Sequence, residues 1–304
     1  MARRTKVKHM KHGSLIVLAA GLLSTPALAD EQVNKTIDAA PDGRVKVYNT
    51  SGSIEVSGWD RNEVEVSGTL GDSVEELILE RDGDEVLIRV EVPNRHWGDI
   101  DADLTISVPK NSSIDVTGVS ADIDVDDVLG EQQLESVSGD IEADGVADDV
   151  EAASVSGDIE IRGDAKGSDY EAATVSGDVY IMGLSGRIDA ESVSGDVDIE
   201  GGRYNDAHFE TVNGDINFAA ALVHGGDLSV ESVNGTVDLD FTEDISARID
   251  IETFNGSIRN CFGPKPERTS KYSPGLELRF EVGDGDSSID VETLNGSVNI
   301  CVDD

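Results

Sequence analysis

The chain has 304 residues and a formal net charge of −40, with 63 acidic and 23 basic residues. A charge of this sign and size excludes nucleic acid and anionic membrane surfaces as attractive partners, because both would repel it. Aromatic residues make up only 4% of the sequence, so a core rich in aromatic side chains is not expected. The acidic residues alternate with Val and Ile, which predicts strands with one solvated face.

Residues 1–29 have the three parts of a secretory signal peptide. Basic residues come first, an apolar stretch follows from 14 to 23, and Ala27-Leu28-Ala29 forms a small-residue cleavage site. The apolar stretch is too short to span a bilayer, and no second apolar run of spanning length follows. The sequence therefore predicts cleavage after Ala29, no membrane span, and a periplasmic or secreted protein. Its charge would then be −45, because 18 basic and 63 acidic residues remain.

Residues 30–117 contain alternating apolar and polar residues without a regular repeat. The alternation is clearest at 45–56, 86–92 and 104–108. This pattern predicts an irregular, strand-rich N-terminal cap, which would cover the open end of the regular repeats that follow.

Residues 118–304 repeat a four-residue unit: Ser or Thr, an apolar residue, Ser or Asn, and Gly. The steps between successive glycines are 18, 20, 18, 19, 21, 21 and 40 residues. A period near 20 residues predicts an all-β chain that winds as a single parallel β-solenoid, with one coil per repeat. The repeat glycines are Gly139, Gly157, Gly177, Gly195, Gly214, Gly235, Gly256 and Gly296.

The apolar residues of each repeat predict how one coil is built. Ile249 and Ile251 alternate with acids, and Phe254 then follows after three positions in place of two. We interpret this step as a bulge or corner that keeps Phe254 on the apolar wall. The Gly two residues later marks a second bend, where glycine can adopt a positive φ. On this interpretation Gly195 tolerates a side chain less well than Gly58, which lies outside the repeats.

The sequence from Gly43 to Asp60, with its Gly-Trp-Asp ending, resembles the opening of the bacterial putative-adhesin family. The Ser-Val-Ser-Gly-Asp and Leu-Asn-Gly-Ser-Val units resemble the repeats of the same family, over roughly residues 40–304. The resemblance implies an exported β-strand-repeat protein of the cell envelope. It supplies no catalytic residues.

One acidic position recurs directly after the repeat glycine. Stacked coils would place these carboxylates about one strand spacing apart, where they repel by roughly 1 kcal/mol in water. Backbone N–H groups at the turn or a divalent cation would offset the repulsion, and we favour capping of the turn over calcium binding. The ladder consists of Asp140, Asp158, Asp178, Asp196 and Asp215.

No nucleophile elbow, zinc-binding His pair or phosphate-binding loop occurs in the sequence. The histidines beyond the signal peptide are few and lie in different repeats, which is typical of surface residues. The sequence therefore predicts no catalytic residue, no cofactor and no enzyme activity.

Two cysteines, Cys261 and Cys301, each lie five residues after a repeat glycine. If residues 273–278 form a full intervening coil, the two positions lie roughly 9 to 10 Å apart and cannot be bridged. The alternative is an excursion of residues 262–287. If those residues form a loop or hairpin excursion, the two strands are neighbours. We favour the excursion, because residues 262–274 lack apolar alternation, and we therefore predict a disulfide.

Together these observations predict an exported, non-enzymatic scaffold or binding protein with an unidentified envelope protein or glycan as partner. A divalent-cation-binding or envelope-stress module is the alternative. A polysaccharide-active enzyme is a third hypothesis, but the sequence offers no cluster of aromatic residues for sugar binding.

Overall fold

The computed structural model describes residues 31–93, 98–164 and 166–302 of the chain. The predicted signal peptide lies outside them. The described residues form 21 strands, in chain order β1 (Glu31–Asp38), β2 (Arg44–Trp59), β3 (Glu63–Leu70), β4 (Glu76–Asp82), β5 (Glu85–Glu91), β6 (Ala102–Pro109), β7 (Ser113–Asp126), β8 (Gln132–Ser136), β9 (Ile141–Val146), β10 (Val150–Ser154), β11 (Ile159–Gly163), β12 (Lys166–Thr174), β13 (Val179–Met182), β14 (Ser185–Ser194), β15 (Val197–Asn213), β16 (Ile216–Phe241), β17 (Ala247–Thr253), β18 (Ile258–Asn260), β19 (Glu267–Arg268), β20 (Leu276–Val282) and β21 (Ser287–Val302).

The strands stack in parallel as the coils of a β-solenoid, which confirms the predicted fold class. β8, β10, β12 and β14 pair in succession on one side, and β9, β11, β13 and the start of β15 pair on another. Registers match repeat to repeat, so that Ile141, Ile159 and Val179 lie in one column. Each coil thus places the same repeat position above that of its neighbour.

The core is a column of aliphatic side chains that alternate with outward-facing polar residues along each strand. Val47, Ile123, Ile161 and Ile199 are representative, and all are buried. A group of aromatic residues widens the middle of this column: the ring of Phe218 lies 5.7 to 5.9 Å from three others, which belong to Tyr204, Phe209 and Phe241. Four of the five buried aromatic side chains among the described residues are therefore grouped in neighbouring coils.

At the N-terminal end, the order of the coils in space differs from their order in the chain. β2 lies between the coil formed by β5 and β6 on one side and β7 on the other. Antiparallel strands cover the outermost coil, with β3 on β6, β1 on β3, and β4 on β5. The regular stack therefore begins with strands of the predicted cap, and the boundary expected between residues 117 and 118 lies inside β7.

At the C-terminal end, too, the order of the coils in space differs from their order in the chain. β21 pairs in parallel with β16 on one face and with β17 and β18 on the other. The last strand of the chain is thus inserted beneath the preceding coil, which becomes the outermost one. β20 covers β17 in antiparallel register, and β19 pairs with β20.

Residues 262–286 leave the stack between β18 and β21 and include the antiparallel strands β19 and β20. Cys261 directly follows β18, and Cys301 lies near the end of the neighbouring strand β21. The two are joined by a disulfide, with their Cα atoms 5.0 Å apart. The bond ties the outermost coil to the inserted one.

Candidate functional site

The four residues of the repeat form one corner of the solenoid, and each has a separate structural role. The first residue, Ser or Thr, is buried and takes the next inward position of an alternating strand. In six of the eight repeats its hydroxyl donates to a carbonyl of the neighbouring coil, as in Thr211 to Gly195 O and Thr174 to Gly157 O, both at 3.1 Å. A polar residue can therefore sit at the edge of the core where its donor is satisfied. The hydroxyls of Ser232 and Thr293 are buried without a partner among the described residues.

The second residue of the repeat points outward. Phe254 is 51% exposed, and Val193 is 44% exposed. The expectation that Phe254 continues the apolar wall was therefore wrong: Thr253 occupies the core position, so no bulge is needed and strict alternation places Phe254 on the surface. We refer to this ladder of outward-facing residues as the apolar stripe; in stacking order it consists of Val119, Val137, Val155, Val175, Val193, Val212, Val233, Leu294 and Phe254.

The third residue is Ser in the first repeats and Asn in the later ones. Side-chain amides of the Asn residues bond from coil to coil, from Asn234 to Asn213 at 3.0 Å and from Asn295 to Asn234 at 3.1 Å. Asn255 completes the ladder with a bond to Asn295 at 3.1 Å. These bonds between Asn side chains tie neighbouring coils together directly beside the C-terminal half of the apolar stripe.

The fourth residue is glycine because the coils approach too closely for any side chain. A Cβ atom on Gly195 would lie 1.9 Å from Gly177 O, and one on Gly214 would lie 1.9 Å from Gly195 O. The reason expected from the sequence, a positive φ, applies to only one of the eight repeat glycines, Gly235 with φ 152°. The contrast expected with Gly58 was also wrong, since its Cβ would lie 2.0 Å from Asp127 O.

The Asp that follows the glycine caps the turn of the next coil. Asp178 Oδ1 accepts a hydrogen bond from the backbone N–H of Asp196 at 2.7 Å, and Asp196 Oδ1 accepts one from Asp215 at 2.7 Å. The same bond is found at each step from Asp122 to Thr236. The favoured expectation of capping is thus confirmed: a backbone N–H group offsets the repulsion between neighbouring carboxylates.

A column of acids runs beside the C-terminal half of the apolar stripe. These side chains face outward two residues before each stripe residue, and we call them the acidic column: Glu191, Glu210, Glu231, Glu292 and Glu252. Burial raises the pKa of Glu191 above its ordinary value, and the nearby charges of Asp189 and Glu210 raise it further. At Glu191 the negative charge is therefore unfavourable.

Only part of that charge is neutralised within the chain. Arg279 binds Glu252 and also lies 2.8 Å from Asp250. His208 Nε2 lies 2.9 Å from Glu210, a contact that neutralises charge only when the imidazole is protonated. Across residues 31–93, 98–164 and 166–302, no basic side chain forms an ion pair with Glu191, Glu231 or Glu292.

Six residues of the stripe, from Val175 to Phe254 in stacking order, line one continuous groove of about 800 Å³ together with the acidic column and the buried hydroxyls beside them. It runs along the stack from the level of Ala153 to the level of Phe254, and Thr269 and Gly275 of the excursion flank its C-terminal end. Ala153 and Ala173 replace the acids at the other end, so charge is concentrated in the C-terminal half. Sequence analysis missed this groove because it assigned the stripe residues to the core.

One further cluster joins residues of adjacent coils. The potential ligand atoms of Asp189, Glu191 and His208 lie within 4.8 Å of one another, a spacing compatible with a metal ion. The sequence assigned His208 to the surface and did not connect it with Asp189, because the two lie on different coils. Asp189 Oδ1 is buried and has no hydrogen-bond partner, but the Asp189 side chain as a whole is only half-buried.

Comparison with protein families identifies the chain. The family model described as Toastrack DUF4097 matches residues 46–301. The chain belongs to the Toastrack DUF4097 family. The resemblance seen in the sequence is thereby confirmed, and the match includes strands of the cap as well as the regular repeats.

Solved structures of similar fold come from bacteria. One, described as a putative adhesin from Bacteroides fragilis, has a TM-score of 0.49 at 10% identity and covers 88% of this chain and 96% of its own. Another, described as a putative adhesin from Parabacteroides distasonis, has a TM-score of 0.43 at 11% identity and covers 90% and 97%. Curated proteins give no significant match. Sequence identities this low give no basis for assigning a function of those proteins to this chain.

Proposed function

We propose that the protein is an exported, non-enzymatic binding module and that it binds its partner along the groove over the apolar stripe. The observation that carries the proposal is the outward position of the stripe residues along the groove. Five of them are between 39% and 51% exposed without a described segment of the chain covering them: Val175, Val193, Val212, Leu294 and Phe254. A continuous exposed apolar surface is costly in water and marks an interaction site.

The predicted signal peptide and the disulfide support export. A structural disulfide persists outside the reducing cytoplasm, so it fits a periplasmic or extracellular location. Across the described ranges, the structure has no helix of the length and apolarity that a membrane crossing requires. An envelope protein or a glycan remains the expected class of partner.

A cation-binding module is the second candidate, and one observation favours it: the grouping of Asp189, Glu191 and His208. The capping ladder does not favour it, because one oxygen of each carboxylate is already engaged by a backbone N–H group.

Site-specific photo-crosslinking tests the proposal. A photoreactive side chain is placed at Val212 in the groove and, as a matched control, at the exposed residue Glu200 of the same strand β15. After expression with the signal peptide, we expect discrete crosslinked products from the Val212 position only. The experiment is done at two salt concentrations, because a protein this acidic attracts basic partners non-specifically. The same products from both positions, or none from Val212, would refute the groove as the binding site.

A further inference from the structure

We propose that the occupant of the groove is a cationic amphipathic α-helix of a partner protein, with its apolar face on the stripe and its basic side chains on the acidic column. This inference rests on the proposed function and specifies its partner. It follows from three properties of the groove: its charge, its period and its length.

The charge of the groove demands a basic ligand. Glu191, Glu231 and Glu292 flank the stripe without an ion-pair partner among the described residues, as shown above. A partner with Lys or Arg beside its apolar residues would satisfy both surfaces at once. Charges at the rim of an interface chiefly set specificity and association rate, and the apolar contact supplies most of the affinity.

The period of the groove fits a helix better than a strand. Coils are stacked about 4.8 Å apart, so stripe residues and column residues recur at that distance. A helix presents one row of side chains every turn, about 5.4 Å along its axis, so it drifts from the stripe by about 0.6 Å at each coil step. Side chains on one face of an extended strand recur at about 6.7 Å, so they drift by about 1.9 Å at each step, roughly three times as fast.

The length of the groove gives the length of the helix. The groove covers seven coil levels from Ala153 to Phe254. Seven levels are six coil steps, so the groove is about 29 Å long. A helix of about 19 residues spans that distance, and about 13 residues span the acidic column. The basic residues should therefore lie in the part of the helix that contacts the C-terminal half of the groove.

Two other occupants fit less well. A second copy of this chain would be opposed by like charge, because each copy has a formal net charge of −40. A glycan would lack stacking platforms, since Phe254 is the only aromatic side chain that the described residues contribute to the groove lining.

Binding of designed peptides to the full mature protein tests the inference, with fluorescence anisotropy as the readout. The probe is an amphipathic helical peptide of about 18 residues, with a Leu face flanked on one side by Lys. Three peptides serve as controls: one of identical composition in scrambled order, one with Glu in place of Lys, and one of equal charge that alternates Lys and Val. We expect the probe to bind at least about tenfold more tightly than each control.

Protein variants separate specific recognition from general attraction. Glu191→Gln with Glu231→Gln should weaken binding of the probe at least about fivefold, whereas the charge-matched pair Glu76→Gln with Glu80→Gln, on β4 of the cap, should change it less than about twofold. Equal effects of the two pairs, or equal binding of the scrambled peptide, would overturn the inference, as would tighter binding of the alternating peptide. If the peptides fail while the photo-crosslinks at Val212 persist, the helix is refuted and the binding groove stands.

Discussion

The side-chain amide of Asn295 donates a hydrogen bond to Asn234 Oδ1 at 3.1 Å, although 61 residues separate them in the chain. Asn255 is nearer to Asn234 in the sequence than Asn295 is, but in the stack Asn295 lies between the two. The side-chain amide of Asn255 donates to Asn295. These bonds follow from the insertion of β21 between β16 and β17. The apolar stripe, the repeat glycines and the acidic column all follow the same order in space.

Replacement of a stacked glycine should be strongly destabilising. The Cβ atom of Gly195→Ala would lie 1.9 Å from Gly177 O, so two coils must separate, at a cost of about 3 kcal/mol. Gly83→Asn is the control: φ is 64° in a hairpin turn with no atom within 4 Å of the added Cβ, and Asn tolerates that conformation. Chemical denaturation of both variants provides the comparison, and similar losses of stability would count against close stacking as the reason for the glycines.

The capping role of the ladder predicts that one substitution of Asp178 lowers the free energy of unfolding and that another leaves it nearly unchanged. Asp178→Ala removes the acceptor for the N–H group of Asp196 and should cost about 1 to 2 kcal/mol. Asp178→Asn keeps an acceptor oxygen and removes one negative charge, so its unfolding free energy should stay within about 0.5 kcal/mol of the wild type. If both variants lose equal stability, the negative charge itself is needed, which would favour a bound cation.

The same capping predicts a weak response to divalent ions. Millimolar calcium and magnesium should raise the melting temperature slightly and to the same extent, because they only screen the net charge. A large increase with calcium alone, which Asp178→Asn abolishes, would establish the ladder as a calcium site. If Asp189→Asn abolishes the increase instead, the site is the cluster with Glu191 and His208.

Reduction of the disulfide should loosen one end of the solenoid. The bond closes a loop of 40 residues and adds roughly 3 to 4 kcal/mol by restricting the unfolded chain. In the variant Cys261→Ser with Cys301→Ser, hydrogen exchange should rise first in β17, β18 and β20, because this coil and its cover are outermost. Earlier exchange in β21 than in β18 would contradict the inserted position of β21.

The half-buried carboxyl of Asp198 makes stability depend on pH. Burial raises its pKa above the ordinary value of 3.8, and the nearby charges of Asp196 and Asp178 act in the same direction, against the hydrogen bond from Asn217. The folded state therefore favours the protonated form. Its contribution to stability is complete below pH 3.8 and is lost as the pH rises through the raised pKa.

Asp198→Asn should consequently be more stable than the wild type at pH 7, and the difference should vanish below pH 3.8. Thermal unfolding of both proteins at pH 7 and below pH 3.8 measures this difference in stability. Glu76→Gln is the control for removal of one charge. A gain that is equal at both pH values would show that Asp198 does not titrate as described.

Much of the fold could be predicted from the sequence, because period and alternation act locally. The step of about 20 residues gives the coil, and the alternation of residues such as Ile249 and Ile251 gives the buried face. The order of coils at each end could not be predicted, because β21 finds equally good registers on β16 and on β17. The 40-residue step before Gly296 indicated an interruption but not the insertion.

The groove escaped prediction for a different physical reason. Thr253 and its equivalents are polar, so the interpretation of each coil passed over them and assigned the next apolar residue to the core. Six of the eight hydroxyls are satisfied by carbonyls of the neighbouring coil, such as Gly296 O for Thr253 at 3.1 Å. Had these hydroxyl residues been counted as core, strict alternation would have placed Phe254 and its equivalents outside.

The central claim is that the apolar stripe serves binding and not folding, and a variant in which Val193, Val212 and Val233 are all replaced by Ser tests it most directly. Its unfolding free energy and its ability to bind are measured on the same preparation, with the buried-core variant Ile199→Ser for comparison. We predict that the stripe variant unfolds within about 1 kcal/mol of the wild type but loses the partner, whereas Ile199→Ser loses about 3 kcal/mol or more. A stripe variant as unstable as Ile199→Ser, or one that still binds as the wild type does, would contradict the account.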